Sequence, residues 1–279
     1  DYIFAGSRKS RYTFKDFRQE ELICIRSSED EDFEVPCLFL QRSSSTSLVI
    51  FCHANAEDLK SVYPTAEYLR QALQCHVLVP EYPGYGACKG CPSSKGLNES
   101  VMAACLWAAD FLSLQPQQIV IWGRSIGTGP AFHVASSGLA GGIVAISPFT
   151  SIQDVARDVA GNLGSLLSTG CSDWNNVEKM RGLTCPCVIV HGMRDEMIHY
   201  KHAVAIHEQG KNRRRLALME NVGHHDSSLL ECAARAYHEF FLFPDKPIIV
   251  QFRDLVLAPG KEGEAGIPTF FLQLLKQRM

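Results

Sequence analysis

The sequence predicts an α/β fold, a mostly parallel sheet of about eight strands with helices on both faces. Three observations lead there. Strand-like and helix-like stretches alternate from residue 48 to residue 242. The strand-like stretches are short apolar runs such as Leu48-Val-Ile-Phe-Cys52, the pattern of strands covered on both sides. Finally, 46% of the 279 residues are hydrophobic and 20% charged, which supplies a sizeable core and excludes a disordered chain.

The elements follow in order. Residues 1–18 are basic and aromatic: Arg8, Lys9, Arg11, Lys15 and Arg18 lie among Tyr12, Phe14 and Phe17. They read as a solvated lead-in, with contact to a membrane surface as the other reading. Residues 19–26, with Leu22, Ile23, Cys24 and Ile25, form a strand, and residues 35–41 its partner. No helix separates these two, so they add an antiparallel edge. A polar turn at residues 43–46 precedes strand 48–52. Residues 61–73 place Val62, Ala66, Leu69 and Leu73 on one helical face. Strand 76–79, helix 97–114, strand 118–122, helix 125–137 and strand 142–146 come next. The irregular stretch 148–174 lies where a short cap is expected. Strand 188–190, helix 201–209, strand 216–219 and helix 227–241 complete a body running from residue 19 to 243. Residues 244–279 form a C-terminal extension of unassigned role, broken by Pro244, Pro247, Pro259 and Pro268.

Lys and Arg number 27 and Asp and Glu 30, a net charge of -3, so nothing draws the chain to nucleic acid in general. No apolar run approaches the roughly 20 residues of a membrane-spanning helix. The 11 cysteines are odd in number and scattered, several inside apolar runs. That reads as a reducing compartment, hence a cytoplasmic location, with the N-terminal region as the candidate for peripheral membrane contact. Cys88-Lys-Gly-Cys91 and Cys185-Pro-Cys187 differ in spacing and flanks, so neither a zinc site nor any other metal or cofactor is expected.

The most informative stretch is Ile119-Val-Ile-Trp-Gly123-Arg124-Ser125-Ile126-Gly127-Thr-Gly129. It is a G-x-S-x-G with a buried-strand run before it and a helical pattern after it, the context of a nucleophile elbow. Such a turn strains the serine backbone, and a side chain at 123 or 127 would meet the adjacent chain. Ser125 is therefore the candidate nucleophile, held at the carboxyl edge of the sheet.

A serine hydroxyl needs a base, and the base an orienting acid, in the chain order serine, acid, histidine for this kind of elbow. Val188-Ile-Val-His191-Gly-Met-Arg-Asp195 runs from a buried strand into a turn bearing a carboxylate. Leu216-Ala-Leu-Met-Glu-Asn-Val-Gly223-His224 runs from another strand into a loop bearing an imidazole. Both lie just past strand ends on the edge that carries Ser125, so Asp195 and His224 complete a candidate triad. Asp154 and Asp158 are rival acids and His225 a rival base. Glu196 would point elsewhere, and Asp226 reads as the cap of the next helix. His199 and His202, three residues apart, read as surface histidines, with a metal held on a shared helix face as the lesser reading. An oxyanion hole needs two amides, one from Ile126 and one from Asn55 in the loop after strand 48–52. His53 reads as a brace for that loop. The spacing His53-x4-Asp58 also fits a loose acyltransferase pattern, which arises easily by chance. Within the cap, Phe149, Val155, Val159, Leu163, Leu166 and Leu167 read equally as lining for an acyl chain or as cap core. Met197, beside the candidate acid, is a further candidate for substrate contact.

Taken together, His53-Ala-Asn-Ala-Glu-Asp-Leu59, Glu81-Tyr-Pro-Gly-Tyr-Gly86, Gly123-Arg-Ser-Ile-Gly-Thr-Gly129, His191-Gly-Met-Arg-Asp-Glu196 and Gly223-His-His-Asp226 resemble serine hydrolases of the α/β-hydrolase superfamily. In particular, the chain is similar to the α/β-hydrolase-domain-containing protein 17 group of depalmitoylases and its domain-13 relatives. The resemblance spans residues 35–242. It implies the α/β-hydrolase fold with a short cap, Ser125, Asp195 and His224 as triad, and Asn55 and Ile126 as oxyanion donors. It also implies hydrolysis of acyl thioesters or esters without a cofactor, on an acylated protein or a lipid or ester substrate, with protein depalmitoylation foremost. The remaining readings are a carboxylesterase or lysophospholipase, and a non-catalytic hydrolase-like binding protein. One departure is Ala54, where the group carries glycine.

Overall fold

The structure, a computed structural model, describes residue 4 and residues 12–18, 20–26, 34–43, 45–158 and 174–241. Its strands are β1 (Leu22–Arg26), β2 (Glu34–Leu40), β3 (Leu48–Cys52), β4 (His76–Pro80), β5 (Ile119–Arg124), β6 (Gly142–Ile146), β7 (Cys187–Gly192) and β8 (Arg214–Met219). They form one sheet in the order β1-β2-β4-β3-β5-β6-β7-β8. β1 pairs antiparallel with β2, and β2 antiparallel with β4. Every other pairing is parallel, so the two-strand antiparallel edge lies where the missing helix put it.

The apolar runs form strands because both faces of the sheet are covered. Alternate residues feed two different layers. Ile50, Ile121, Ile143 and Ile189 pack with α2 (Ser94–Phe111), α3 (Thr128–Ser136), α4 (Asn176–Gly182) and α5 (Lys201–Gln209). Val49, Val120, Trp122, Val144 and Val188 pack with α1 (Leu59–Leu73) and α6 (Ser228–Phe240). Shifting β5 by one residue would exchange Trp122 for Ile121 between layers, so the register is strongly specified.

The sheet order also positions the functional edge. From β3 the chain crosses through α1 to β4 on one side, whereas β5 lies on the other side of β3. The crevice beyond the carboxyl ends of β3 and β5 is thus a topological switch point, where α/β sheets bind ligands. The loop after β3 ends in a capping box at α1. The Asp58 side chain accepts the Ser61 amide at 2.9 Å, and the Asp58 amide donates to the Ser61 hydroxyl at 2.8 Å. Asp58 is buried, so Asp58→Ala is expected to cost about 1–2 kcal/mol. A thermal melt should therefore fall by several degrees, and an unchanged melt would show that the box contributes nothing.

Two regions differ from expectation. Tyr12 and Phe17 are buried and meet edge-on at 5.2 Å, packed in the same layer as α1. These aromatics of the N-terminal segment are spent on the core and are not solvated. Within the stretch expected to form a cap, the described residues 152–158 are helical where the sequence reads as irregular, and α4 lies beyond that stretch, where the sequence offers no element. At seven residues α4 is too short for a helical period to show. An isolated antiparallel bridge pairs Ser151 with Asn175. Leu163, Leu166 and Leu167 lie outside the described residues, as do Val159 and the extension from residue 244. No helix among the described residues is long and apolar enough to cross a membrane.

Candidate active site

β5 ends at Arg124, and the chain turns sharply at Ser125, whose φ of 52° lies in the left-handed region that L-residues avoid. A one-turn 3-10 segment, Ser125–Gly127, leads into α3. Close packing holds the turn. A Cβ at Gly123 would stand 2.7 Å from the Gly127 carbonyl oxygen, and one at Gly127 only 2.1 Å from the Cys52 carbonyl oxygen at the end of β3. The Thr128 hydroxyl donates to the Ser125 carbonyl at 2.7 Å.

Asp195 and His224, the candidate acid and base, arrive on two loops that are bound to each other. After β7 and β8, the Met193 amide donates to the Met219 carbonyl, and the Arg194 amide to the Val222 carbonyl, both at 2.9 Å. That pairing sets Asp195 beside His224. His224 Nδ1 lies 2.6 Å from Asp195 Oδ2, and His224 Nε2 lies 3.1 Å from Ser125 Oγ. Asp195 Oδ1 accepts the Met197 and Ile198 amides at 2.9 and 2.8 Å. His191 Nε2 stands 3.2 Å from Asp195 Oδ2 and 2.8 Å from the Ile198 carbonyl. Since that carbonyl only accepts, Nε2 of His191 carries the proton.

Burial acts to raise the Asp195 carboxyl, but hydrogen bonds from His191, His224 and the Ile198 amide hold it far below the usual carboxylate range. Asp195 is therefore ionised and accepts only. His224 must donate through Nδ1, which leaves Nε2 as an acceptor for the Ser125 hydroxyl. The arrangement can take a proton from Ser125 and hold the resulting imidazolium beside a carboxylate.

No family model matches the chain. Human α/β hydrolase domain-containing protein 17B is 27% identical over 225 residues, covering 80% of this chain and 76% of that protein. Mouse domain-containing protein 17C is 28% identical over 221 residues, covering 78% and 67%. Among solved structures, the Pyrococcus furiosus esterase Pf2001 superposes with a TM-score of 0.66 at 16% identity, over 83% of this chain and 96% of that one. The chain has the α/β-hydrolase fold. Mouse α/β hydrolase domain-containing protein 10 gives a TM-score of 0.61 at 14% identity, over 78% and 97%.

In this α/β-hydrolase fold the loop after β3 carries Asn55, and the residue after Ser125 is Ile126. Fully buried His53 braces that loop. Its Nε2 lies 3.0 Å from Glu81 Oε1, its Nδ1 3.1 Å from the Ala54 carbonyl, and its ring stacks on Tyr82 at 4.1 Å. Burial alone would lower the His53 imidazole, and the Glu81 carboxylate overcomes this and raises it. Glu81 Oε2 also accepts the Leu59 amide at 3.1 Å, and the Tyr85 hydroxyl donates to Asn55 Oδ1 at 2.8 Å. Glu81 and Tyr85 lie in one of the motifs that carry the resemblance, but the sequence assigns neither of them a role. The signal was there: Glu81 is an acidic residue directly after the apolar run of β4.

The rival residues lie elsewhere. Asp154 is engaged by Thr150 and Ser151, and Asp158 by His202 at 2.9 Å. His225 and Glu196 are exposed, and Asp226 accepts the Ser228 amide at the start of α6 at 2.9 Å. His202 is not a surface histidine: it is buried, with Nδ1 2.8 Å from the Thr150 hydroxyl. Phe149 is 1% exposed and packs against Trp174, so among the described residues it belongs to the core and does not face an open groove. Met197 is 55% exposed at the rim. No group of three or more His, Cys, Asp or Glu side chains among the described residues is placed to hold a metal ion. Cys88 is buried, which pushes its thiol up to about 12.

Proposed function

We propose that the chain is a serine hydrolase that cleaves acyl thioesters or esters, with a palmitoylated protein as its foremost substrate. One observation carries the reading: a left-handed serine whose hydroxyl meets an imidazole at 3.1 Å, itself held by a buried carboxylate at 2.6 Å. In the proposed mechanism, His224 Nε2 takes the Ser125 proton as Oγ attacks the acyl carbonyl. Asp195 keeps the tautomer and stabilises the imidazolium. The amides of Asn55 and Ile126 receive the oxyanion. The tetrahedral species expels the leaving group, His224 gives up the serine proton to that group or, when a thiolate departs unprotonated, to solvent, and an acyl-serine is left beside a neutral imidazole. Water, deprotonated by His224, then releases the acid. A thiolate, whose parent thiol has a pKa near ~8.5, departs with little help from a proton, whereas an alkoxide needs one from His224.

The thioester preference draws on the resemblance to the domain-containing protein 17 group. Fluorophosphonate should label the wild type and leave Ser125→Ala unlabelled, and an S-palmitoyl peptide should be cleaved with a higher kcat/KM than short nitrophenyl esters. Labelling combined with turnover of short esters alone would favour a carboxylesterase. A folded wild type that takes no label would favour a non-catalytic binding protein.

A further inference from the structure

Beside the triad, a chain of polar contacts links three loops through two side chains that no catalytic step uses. Glu57 Oε2 accepts the Ala54 amide at 2.7 Å, next to Asn55. Glu57 Oε1 pairs with Arg124 Nη1 at 3.2 Å. Arg124, which precedes Ser125, donates from Nη2 to the His224 carbonyl oxygen at 3.5 Å. Each link therefore ends at or beside a residue assigned to the chemistry, and neither side chain touches the reacting atoms. We propose that Glu57 and Arg124 are positioning residues, forming a clamp that holds the loop after β3, the nucleophile elbow and the His224 loop in register.

The clamp rests on the serine-hydrolase reading and adds to it a device that sets the geometry. The two side chains are 26% and 22% exposed, so the ion pair contributes little to stability. Its effect lies in placement, where small displacements of reacting groups are felt strongly. The planar fork of arginine serves two acceptors at once, and the point charge of lysine cannot reproduce that.

The fold supplies a matched control. Arg70 pairs with Glu67 and also donates to a backbone carbonyl, that of Gln41 at 3.2 Å, at a similar exposure of 24% and 30% but on α1. Arg124→Lys and Glu57→Gln should each lower kcat on a nitrophenyl ester about tenfold, with KM within about twofold. Melting temperatures should stay near wild type. The double variant should be no worse than either single one, because one chain of contacts is broken in each case. Added guanidinium should restore part of the activity of Arg124→Ala, and Arg70→Lys should be indistinguishable from wild type. A wild type that is labelled at Ser125, with both clamp variants at wild-type kcat, overturns the clamp and leaves the hydrolase reading standing. Failure of the wild type to label overturns the hydrolase reading, and hydrogen exchange then reads the clamp by itself. Arg124→Lys should speed exchange in peptides covering 53–58 and 220–227 together and leave residues 59–73 unchanged. Unaltered exchange in the two loops overturns it.

Discussion

Asp195→Asn is expected to lower kcat by about four orders of magnitude while the protein stays folded. The direction follows from which oxygen does what. Oδ1 accepts two amides, from Met197 and Ile198, so the one remaining carbonyl of asparagine is drawn to that position. The new NH2 group then replaces Oδ2 and faces His224 Nδ1. As a donor it forces His224 into the other tautomer, with the proton on Nε2, pointing at Ser125 Oγ. A protonated Nε2 cannot accept the serine proton. The same NH2 also faces the Nε2 proton of His191, a second mismatch. Steady-state turnover of a nitrophenyl ester checks the loss, and a variant with near-wild-type kcat would mean that Asp195 does not orient the base.

The substitution also carries a pH signature. The folded-state pKa of Asp195 lies below its unfolded value, so its contribution to stability is present above that unfolded value, about 3.9, and fades as pH falls toward the folded one. The melting-temperature gap between wild type and Asp195→Asn should be constant near neutrality and close in acid. A gap that widened in acid would reverse the sign and contradict the depressed carboxyl.

The sequence exposed whatever depends on short stretches. The apolar runs of β3 to β7 are readable because both faces are covered, and the elbow because its glycines flank the serine at fixed offsets. Asp195 and His224 are readable as groups just past strand ends, since a parallel sheet sends all such ends to one edge. Contacts between distant residues left no local trace. The backbone ties from Met193 to Met219 and from Arg194 to Val222 bring Asp195 and His224 together, yet almost any residue type could make them. Arg124 and Glu57 are 67 residues apart, and His202 meets Thr150 across 52. Each looks like an ordinary surface side chain until the loops are folded beside one another. Phe149 misled for a related reason: an apolar residue at a cap reads the same whether it lines a groove or fills the core.

Gly127→Ala should be the most damaging single methyl that can be added at the site. Its Cβ would lie 2.1 Å from the Cys52 carbonyl oxygen, 2.6 Å from the Cys52 carbonyl carbon and 2.7 Å from the His53 carbonyl oxygen. All three atoms are backbone, at the end of central strand β3, where no side chain can rotate away. Either β3 moves from β5, breaking a register that pairs Cys52 with Gly123, or the elbow moves outward. Overpacking of this kind costs about 3 kcal/mol or more. An outward shift also draws Ser125 away from the loop that carries Asn55, so activity should fall by more than the folded fraction does. Gly182→Ala is the contrasting case. It sits at the end of α4 with nothing within 4 Å of the new carbon, and should change stability by no more than about 0.5 kcal/mol. Denaturant melts of the two variants, with ester turnover normalised to folded protein, separate the outcomes. If Gly127→Ala kept both wild-type stability and wild-type turnover, the close approach of elbow and β3 would not exist in solution, and the loop carrying Asn55 could not lie where the proposed mechanism needs it.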